Sequence, residues 1–341
     1  MRRHERLHRL FRRFELSQRA DSNGQPESTT PGFAESRLRA PQPRQEWVLR
    51  RESIHTLIHA GDARLVLVSA PPGSGKSILV AQWRATQAES RVFAWVTLGH
   101  DDNDPVSLWT MIVLALARAH AGIDGARLLR TLAGPKPDIE NVLLPQILGQ
   151  LSEQPTPAVL VLDDLHVIQE PTCLRQIERF LDNLPPTVQL VVLTRSDPLL
   201  PVARYRAAGS IVEVRMPELQ FTRKEIDKLI RRVSGFRLTD TELDALYEHT
   251  EGWPAGAYLA ALSLRGASDA VAFIGEFAGS NRYVVDYLWE EVVTPLPADV
   301  RRFLLRTSIL DRFTATLCAA VAEVTQAEAI IERLERSNLF L

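Results

Sequence analysis

The sequence predicts an α/β fold, a five-strand parallel sheet followed by an all-helical region, on three observations. Leu65-Val66-Leu67-Val68-Ser69 runs into Ala70-Pro71-Pro72-Gly73-Ser74-Gly75-Lys76-Ser77, an apolar β-branched run that stops at a Pro/Gly turn and resumes as a helix. Val159-Leu160-Val161-Leu162-Asp163-Asp164 is a second continuous apolar run, closed by two carboxylates. That pattern suits a parallel strand covered on both faces, with its acids at the C-terminal end where open α/β sheets place ligands. From Thr222 onward, helical periodicities follow one another with no further strand pattern.

The elements follow in order. Residues 4–16 set Leu7, Leu10, Phe11 and Phe14 at helical spacing among arginines, which reads either as a basic amphipathic helix for a membrane or acidic partner, or as part of an unstructured leader. Residues 17–45 are rich in Ser, Pro, Gln and Arg with few apolar side chains, a composition that favours disorder for 1–45 as a whole; part of it could lie upstream of the native start. Order is expected from Trp47. A short helix spans 52–60, strand 64–69 leads into the Gly-rich turn, and a helix of about 77–87 follows. Strand 92–98 comes next. Asp101-Asp102-Asn103-Asp104-Pro105 then precedes an apolar helix of about 106–119; acids in that place serve as turn and cap residues more often than as a metal site. A helix near 139–152, the acid-ended strand, a helix at 173–183, strand 188–194 and a fifth strand near 211–215 complete the unit. Helices are expected at 223–233, 239–249, from Pro254 to Leu264, 270–276, 282–293, 298–307, 314–322 and 327–336. The ending Asn338-Leu339-Phe340-Leu341 reads as an interrupted domain.

At 341 residues, with 45% hydrophobic and 24% charged residues, the chain is ordinary globular material sized for two or three domains. A net charge of −2 gives no global indication of nucleic acid. Cys173 and Cys318 lie apart from any His/Cys cluster, arguing for buried small hydrophobes in a reducing compartment and against a disulfide or metal framework. No apolar run reaches the ~18–20 residues of a membrane span, and the N-terminus lacks the apolar core of a secretory signal. A cytoplasmic protein without membrane partners is expected.

The residues around Lys76 carry the chemistry. Gly73 and Gly75 let backbone N–H groups approach a phosphate without a Cβ in the way, and the helix start adds positive potential. Lys76 reaches the β/γ-phosphates, and the Ser77 hydroxyl is offered to Mg²⁺. The strict motif has glycine six residues before the lysine; Ala70 stands there. The expected nucleotide contacts are therefore Ala70, Pro71, Pro72, Gly73, Ser74, Gly75, Lys76, Ser77 and Ile78, with Ser77 and Asp163 toward the metal. Asp164 would orient or deprotonate the attacking water. Arg195, just past strand 188–194, either senses a γ-phosphate or makes a structural ion pair with Asp163 or Asp197.

These motifs, together with Val192-Leu193-Thr194-Arg195, Glu251-Gly252-Trp253-Pro254-Ala255-Gly256 and Asp286-Tyr287-Leu288-Trp289-Glu290-Glu291-Val292, resemble in order and spacing the STAND class of signal-transduction ATPases, within it the MalT-like regulators of the LuxR type. The resemblance runs from about residue 46 to the last. It implies a P-loop nucleotide-binding α/β domain (46–221), a helical domain (222–294) and an incomplete winged-helix domain (295–341) closing around ATP or ADP with Mg²⁺. It also implies that Val48 and Arg51 lie near the adenine and that Pro254 packs on base or ribose. Family members continue into sensor repeats and a DNA-binding helix-turn-helix that are not in these 341 residues, so an inducer and DNA are implied only through missing parts. The leading expectation is a slowly hydrolysing ATP switch that self-associates when ATP-bound. The alternatives are a motor or clamp ATPase of helicase-loader type, and an interaction scaffold stabilised by nucleotide.

Overall fold

Strands β1 (Leu65–Ser69), β2 (Val92–Thr97), β3 (Ala158–Asp163), β4 (Val188–Thr194) and β5 (Ile211–Val214) form one sheet in the order β2-β3-β4-β1-β5, every pairing parallel. The computed structural model describes residues 33–44, 46–61, 63–265, 274, 282–310 and 314–336. Alternate side chains of each strand point to opposite faces. Leu65, Leu67, Leu160, Leu162, Leu190 and Val192 enter the core under the helices Pro105–Ala119, Gly125–Leu132 and Pro171–Asp182. Val66, Val68, Val159, Val161, Val191 and Leu193 enter the core under Arg51–Ile58 and Lys76–Arg84. With both faces covered, β1, β3 and β4 are buried along their whole length, which is why these runs alternate in direction but not in polarity. Each such Leu or Val contributes roughly 1.5–3 kcal/mol relative to exposure.

Capping fixes the helix starts. Asp104 accepts from Val106 N–H at 3.0 Å and precedes Pro105, a pairing that starts the helix Pro105–Ala119. Thr222 with Glu225 and Thr239 with Glu242 form reciprocal capping boxes for Arg223–Val233 and Asp240–Thr250. Asp102, fully buried, accepts from Gly99 N–H (2.8 Å) and Ser107 Oγ (3.0 Å) and pairs with Arg37. The acidic turn thus consists of cap and network residues, and no cluster of three or more metal-ligating side chains exists among the described residues.

Arg37 also marks a departure from the expected unstructured leader. Residues 33–44 carry a helix (Phe33–Arg37), Arg37 Nε donates to Thr97 O at 2.8 Å, and Leu38 packs on the sheet core. Arg37, bonded to Asp102 and Thr97, and Leu38, packed on the core, fix this stretch, contacts that composition cannot reveal. The amphipathic reading of residues 4–16 lies outside the described residues. So does nearly all of the expected helix 270–276, where only residue 274 is described, and the terminal Asn338–Leu341. Three short helices were not anticipated: Gly125–Leu132, Val202–Ala207 and Met216–Leu219. The expected helix 139–152 opens as a π-helical turn, Ile139–Leu143, and 282–293 ends as one, Trp289–Val293.

Past the sheet, Phe221, Ile226, Leu229, Ile230, Val233, Leu246, Ala257 and Leu264 build a separate helical core, which takes in Val48 from the other end of the chain. Val300, Phe303, Cys318, Ala322, Ile330 and Leu334 form another. Both cysteines are free and buried. No described helix is long and apolar enough to cross a membrane.

Candidate functional site

The C-terminal ends of β1, β4 and β3 lie side by side, with Ser69 paired to Thr194 and Leu162 to Val192. This register gathers the Gly-rich turn after β1, Arg195 after β4, and Asp163 and Asp164 at the end of β3. Gly73 and Gly75 sit at φ +73° and +84°, backbone angles that an L side chain adopts only with strain. Ala70 is fully buried in an apolar cluster and has no such angle, so the first position of the motif needs no glycine here.

The turn is held from outside by the helical unit. Trp253 Nε1 donates to Pro72 O at 3.1 Å, and Ala255 N–H donates to Gly73 O at 3.0 Å. In a trans peptide the carbonyl and the following N–H point oppositely, so the amides of Gly73 and Ser74 turn away from those donors. Ser74 Oγ closes the turn on Pro71 O at 2.7 Å. Lys76, 7% exposed, folds its ammonium onto Ala70 O (2.7 Å) and Pro71 O (3.0 Å). Burial lowers its pKa to about 8, with Asp164 opposing and Arg195 adding to the shift.

Ser77 Oγ donates to Asp163 Oδ1 at 3.1 Å. Asp163 is driven up to about 7 by burial and by the neighbouring Asp164 charge, against the Ser77 hydrogen bond and Lys76. Asp164 takes the left-handed conformation, φ +61° and ψ +39°, which turns the second carboxylate out of the strand and toward the cavity. The His166 ring faces it, Nδ1 3.7 Å from Asp164 Oδ1, and burial lowers its pKa to about 4, leaving it neutral. Arg195 donates to Glu291 through Nη2–Oε2 (3.0 Å) and Nη1–O (3.3 Å). Of the two partners anticipated for Arg195, Asp197 is paired with Arg215; the acid on Arg195 comes from 96 residues downstream.

A cavity of about 410 Å³ opens over these groups. One end is polar, with Lys76, Ser77, Asp164, Arg195 and Glu291. The other is apolar and aromatic, with Trp47, Val48, Phe221, Leu229, Pro254 and Tyr258. Of the expected contacts, Pro72, Gly73, Gly75, Lys76, Ser77, Ile78, Val48 and Pro254 line it, whereas Ala70, Pro71 and Ser74 lie buried beneath it. Arg51 does not: it lines a different groove, and its neighbour Arg50 faces the cavity. Arg50 is buried, donates to the carbonyls of Glu218, Leu219 and Gln220 (2.8–3.0 Å), and lies 4.9 Å over the Phe221 ring. The helix Arg51–Ile58 begins one residue later, and that single step of register decides which arginine turns inward. Trp47, Phe221, Leu229, Tyr258, Tyr287 and Glu291 were not expected in the site, because they reach it from segments distant in sequence.

The donor set fits a Mg²⁺-bound nucleotide. A hydroxyl and a carboxylate 3.1 Å apart are hard oxygen ligands, few enough to leave the remaining positions to water and phosphate, as Mg²⁺ prefers. A buried lysine bonded only to carbonyls, beside two glycines at positive φ, suits a phosphate chain, and the aromatic end suits a base.

Comparison with known proteins agrees. Residues 46–193 match the AAA ATPase domain model, and residues 289–341 match the MalT winged helix domain model. The serine/threonine-protein kinase PknK of Mycobacterium tuberculosis is 31% identical over 324 residues, covering 95% of this chain and 29% of the kinase. The HTH-type transcriptional regulator MalT of Cronobacter sakazakii is 29% identical over 308 residues, 90% of this chain and 34% of the regulator. This chain therefore spans about a third of the length of either relative. Among solved structures, a Walker-type ATPase of Pyrococcus abyssi shares the fold, with a TM-score of 0.57 and 12% identity over 87% of this chain and 92% of that one. Residues 46–193 and 289–341 are thus similar to the ATPase and winged-helix parts of MalT-like P-loop ATPases.

Proposed function

We propose that this chain is an ATP-controlled switch module, binding Mg·ATP or Mg·ADP in the cavity over Lys76, hydrolysing slowly, and reporting the bound nucleotide through its helical and winged-helix parts. One observation carries the reading: residues of the sheet unit (Lys76, Ser77, Asp164, Arg195), of the helical unit (Pro254, Tyr258) and of the segment 282–293 (Tyr287, Glu291) border one cavity. Inverting a two-state equilibrium from 1:99 to 99:1 takes about 5.5 kcal/mol of differential affinity, more than one hydrogen bond supplies. A ligand touching the sheet unit, the helical unit and the segment 282–293 at once has that capacity.

In this reading Lys76 leaves the carbonyls of Ala70 and Pro71 for the β/γ-phosphates, and the amides of the turn hold phosphate oxygens. Bound Mg²⁺ would supply charge neutralisation at those oxygens. Ser77 and Asp163 would hold it. Asp164, already turned into the cavity, orients or accepts a proton from water, and Arg195 faces the terminal phosphate. Val48, Pro254 and Tyr258 enclose the base, and Trp253 and Ala255 keep the turn aligned. Self-association in the triphosphate state, an inducer and DNA belong to this proposal through segments that the relatives carry beyond the similar third. Because that third occurs in both a kinase and transcriptional regulators, the output need not be the same in every relative.

The test is turnover of Mg·ATP with and without DNA. A few turnovers per minute or fewer, unaffected by DNA and abolished in Asp164→Asn with ATP binding intact, is the expected result. Many turnovers per second stimulated by DNA would show a motor, and an Asp164→Asn variant unchanged in turnover and oligomeric state would show a scaffold.

A further inference from the structure

The ion pair between Arg195 and Glu291 joins a cation beside the phosphate turn to an acid in the segment 282–293, at the start of the stretch 289–341 that matches the MalT winged helix domain. Its two ends lie 96 residues apart and meet in the same cavity as Lys76 and Asp164. Glu291 lies in the π-helical turn Trp289–Val293, which continues the helix Arg282–Leu288; π-turns inside helices place a side chain or carbonyl that regular winding would direct elsewhere. Here both serve, since the Glu291 carboxylate and its own carbonyl accept from the two terminal nitrogens of one guanidinium. One helical turn earlier, the Tyr287 hydroxyl stands where a Cβ on Gly73 would come within 2.8 Å of it, so the same helix leans on the phosphate turn.

We propose that Glu291 sets the choice between nucleoside diphosphate and triphosphate, its carboxylate occupying on Arg195 the place of a γ-phosphate, so that triphosphate binding and the Arg195–Glu291 pair exclude one another. The proposal rests on the nucleotide reading of the cavity. Both groups are accessible enough to exchange partners, Arg195 being 32% and Glu291 43% exposed. A phosphate brings more charge and one more oxygen than a carboxylate, so it outcompetes Glu291 for the guanidinium. Around the phosphate turn, Lys76 and Arg195 already face Asp163, Asp164 and Glu291. A γ-phosphate arriving there repels Glu291 and drives its π-turn off the site, whereas a diphosphate stops short and leaves the pair closed.

The experiment is calorimetric titration of the chain, in Mg²⁺, with ADP and with a non-hydrolysable ATP analogue, for wild type, Glu291→Gln, Arg195→Ala and the double variant. Glu291→Gln is expected to tighten triphosphate at least fivefold while changing ADP less than twofold. On the Arg195→Ala background it should change neither. Limited proteolysis supplies a second readout: triphosphate, and not ADP, should open the 282–293 segment of wild type to cleavage, and Glu291→Gln should open it without triphosphate. Equal shifts for both nucleotides, or none, with both still binding, would overturn this proposal alone. Failure of wild type to bind either nucleotide would remove the nucleotide reading itself, and this proposal with it.

Discussion

Replacing Gly73 by alanine tests how tightly the helical unit is seated on the phosphate turn, and Gly75→Ala is its internal control. Both glycines sit at positive φ, +73° and +84°, so both substitutions force an L residue into the left-handed region at roughly 1–2 kcal/mol. They differ in what the new methyl meets. At Gly75 nothing lies within 4 Å; at Gly73 the Cβ would come within 2.6 Å of Ala255 Cβ, 2.8 Å of Tyr287 Oη and 3.0 Å of Trp253 Cζ2. None of these is the loose end of a flexible chain, and relieving them means moving the turn off the helix Pro254–Leu264. Such overpacking typically costs a further 1–3 kcal/mol. Without nucleotide, Gly75→Ala should therefore cost about 1–2 kcal/mol and Gly73→Ala about 2–5 kcal/mol, read as denaturant midpoints at a constant slope. Ala255→Gly removes the nearest obstacle, so the double-variant cycle should return a coupling of about 1 kcal/mol or more. Equal costs at the two glycines with zero coupling to residue 255 would refute the seating of the helical unit on the turn.

Two further predictions concern stability away from the cavity. Glu213 on β5 takes a bidentate pair from Arg206 (2.7 and 3.0 Å) and a third bond from Arg215 (2.6 Å), and the Arg206 hydrogen bonds chiefly depress its pKa to about 2. A depressed carboxylate stabilises the fold above its unfolded pKa and ceases to do so as pH falls through the folded value. Glu213→Gln should cost on the order of 1–2 kcal/mol at pH 7 after allowance for solvent screening, and the difference from wild type should vanish between about pH 4.5 and 2 in pH-resolved denaturation. Arg37→Ala leaves the fully buried Asp102 with only its Gly99 and Ser107 donors and should cost about 2–4 kcal/mol; the companion Asp102→Asn in the Arg37→Ala background should recover part of that loss.

The sheet unit was legible in the sequence because its signals are local. Continuous Val/Leu runs, a Gly-rich turn and an Asp-Asp strand end each occupy fewer than fourteen residues, and parallel order follows from the helices between them. The cap residue Asp104 was legible for the same reason. The gathering of the Gly-rich turn with Asp163 and Asp164 rests on the same local signals, each lying at the C-terminal end of a strand. What sequence could not give was long-range pairing. Arg195 was read against nearby acids, and its partner Glu291 arrives from the far end of the chain. Arg51 was expected near the adenine, and one residue of helix register has Arg50, not Arg51, lining the cavity. The stretch 33–44 is held by Arg37, through Asp102 and Thr97, and by Leu38 on the sheet core, contacts too sparse to alter composition. Val48 leaves its own segment to enter the helical core, and that makes the base end of the cavity a composite of chain start and chain middle.

Titration of Mg·ADP into wild type and Lys76→Ala decides whether a nucleotide's phosphates bind on the turn before Lys76. A charge-assisted contact of this kind contributes about 1.5–3 kcal/mol, so wild type should bind saturably and Lys76→Ala roughly 10- to 150-fold more weakly, with the melting temperature of the unliganded chain little changed. Equal affinity in the two proteins, or no binding to either, would contradict phosphate binding on that turn.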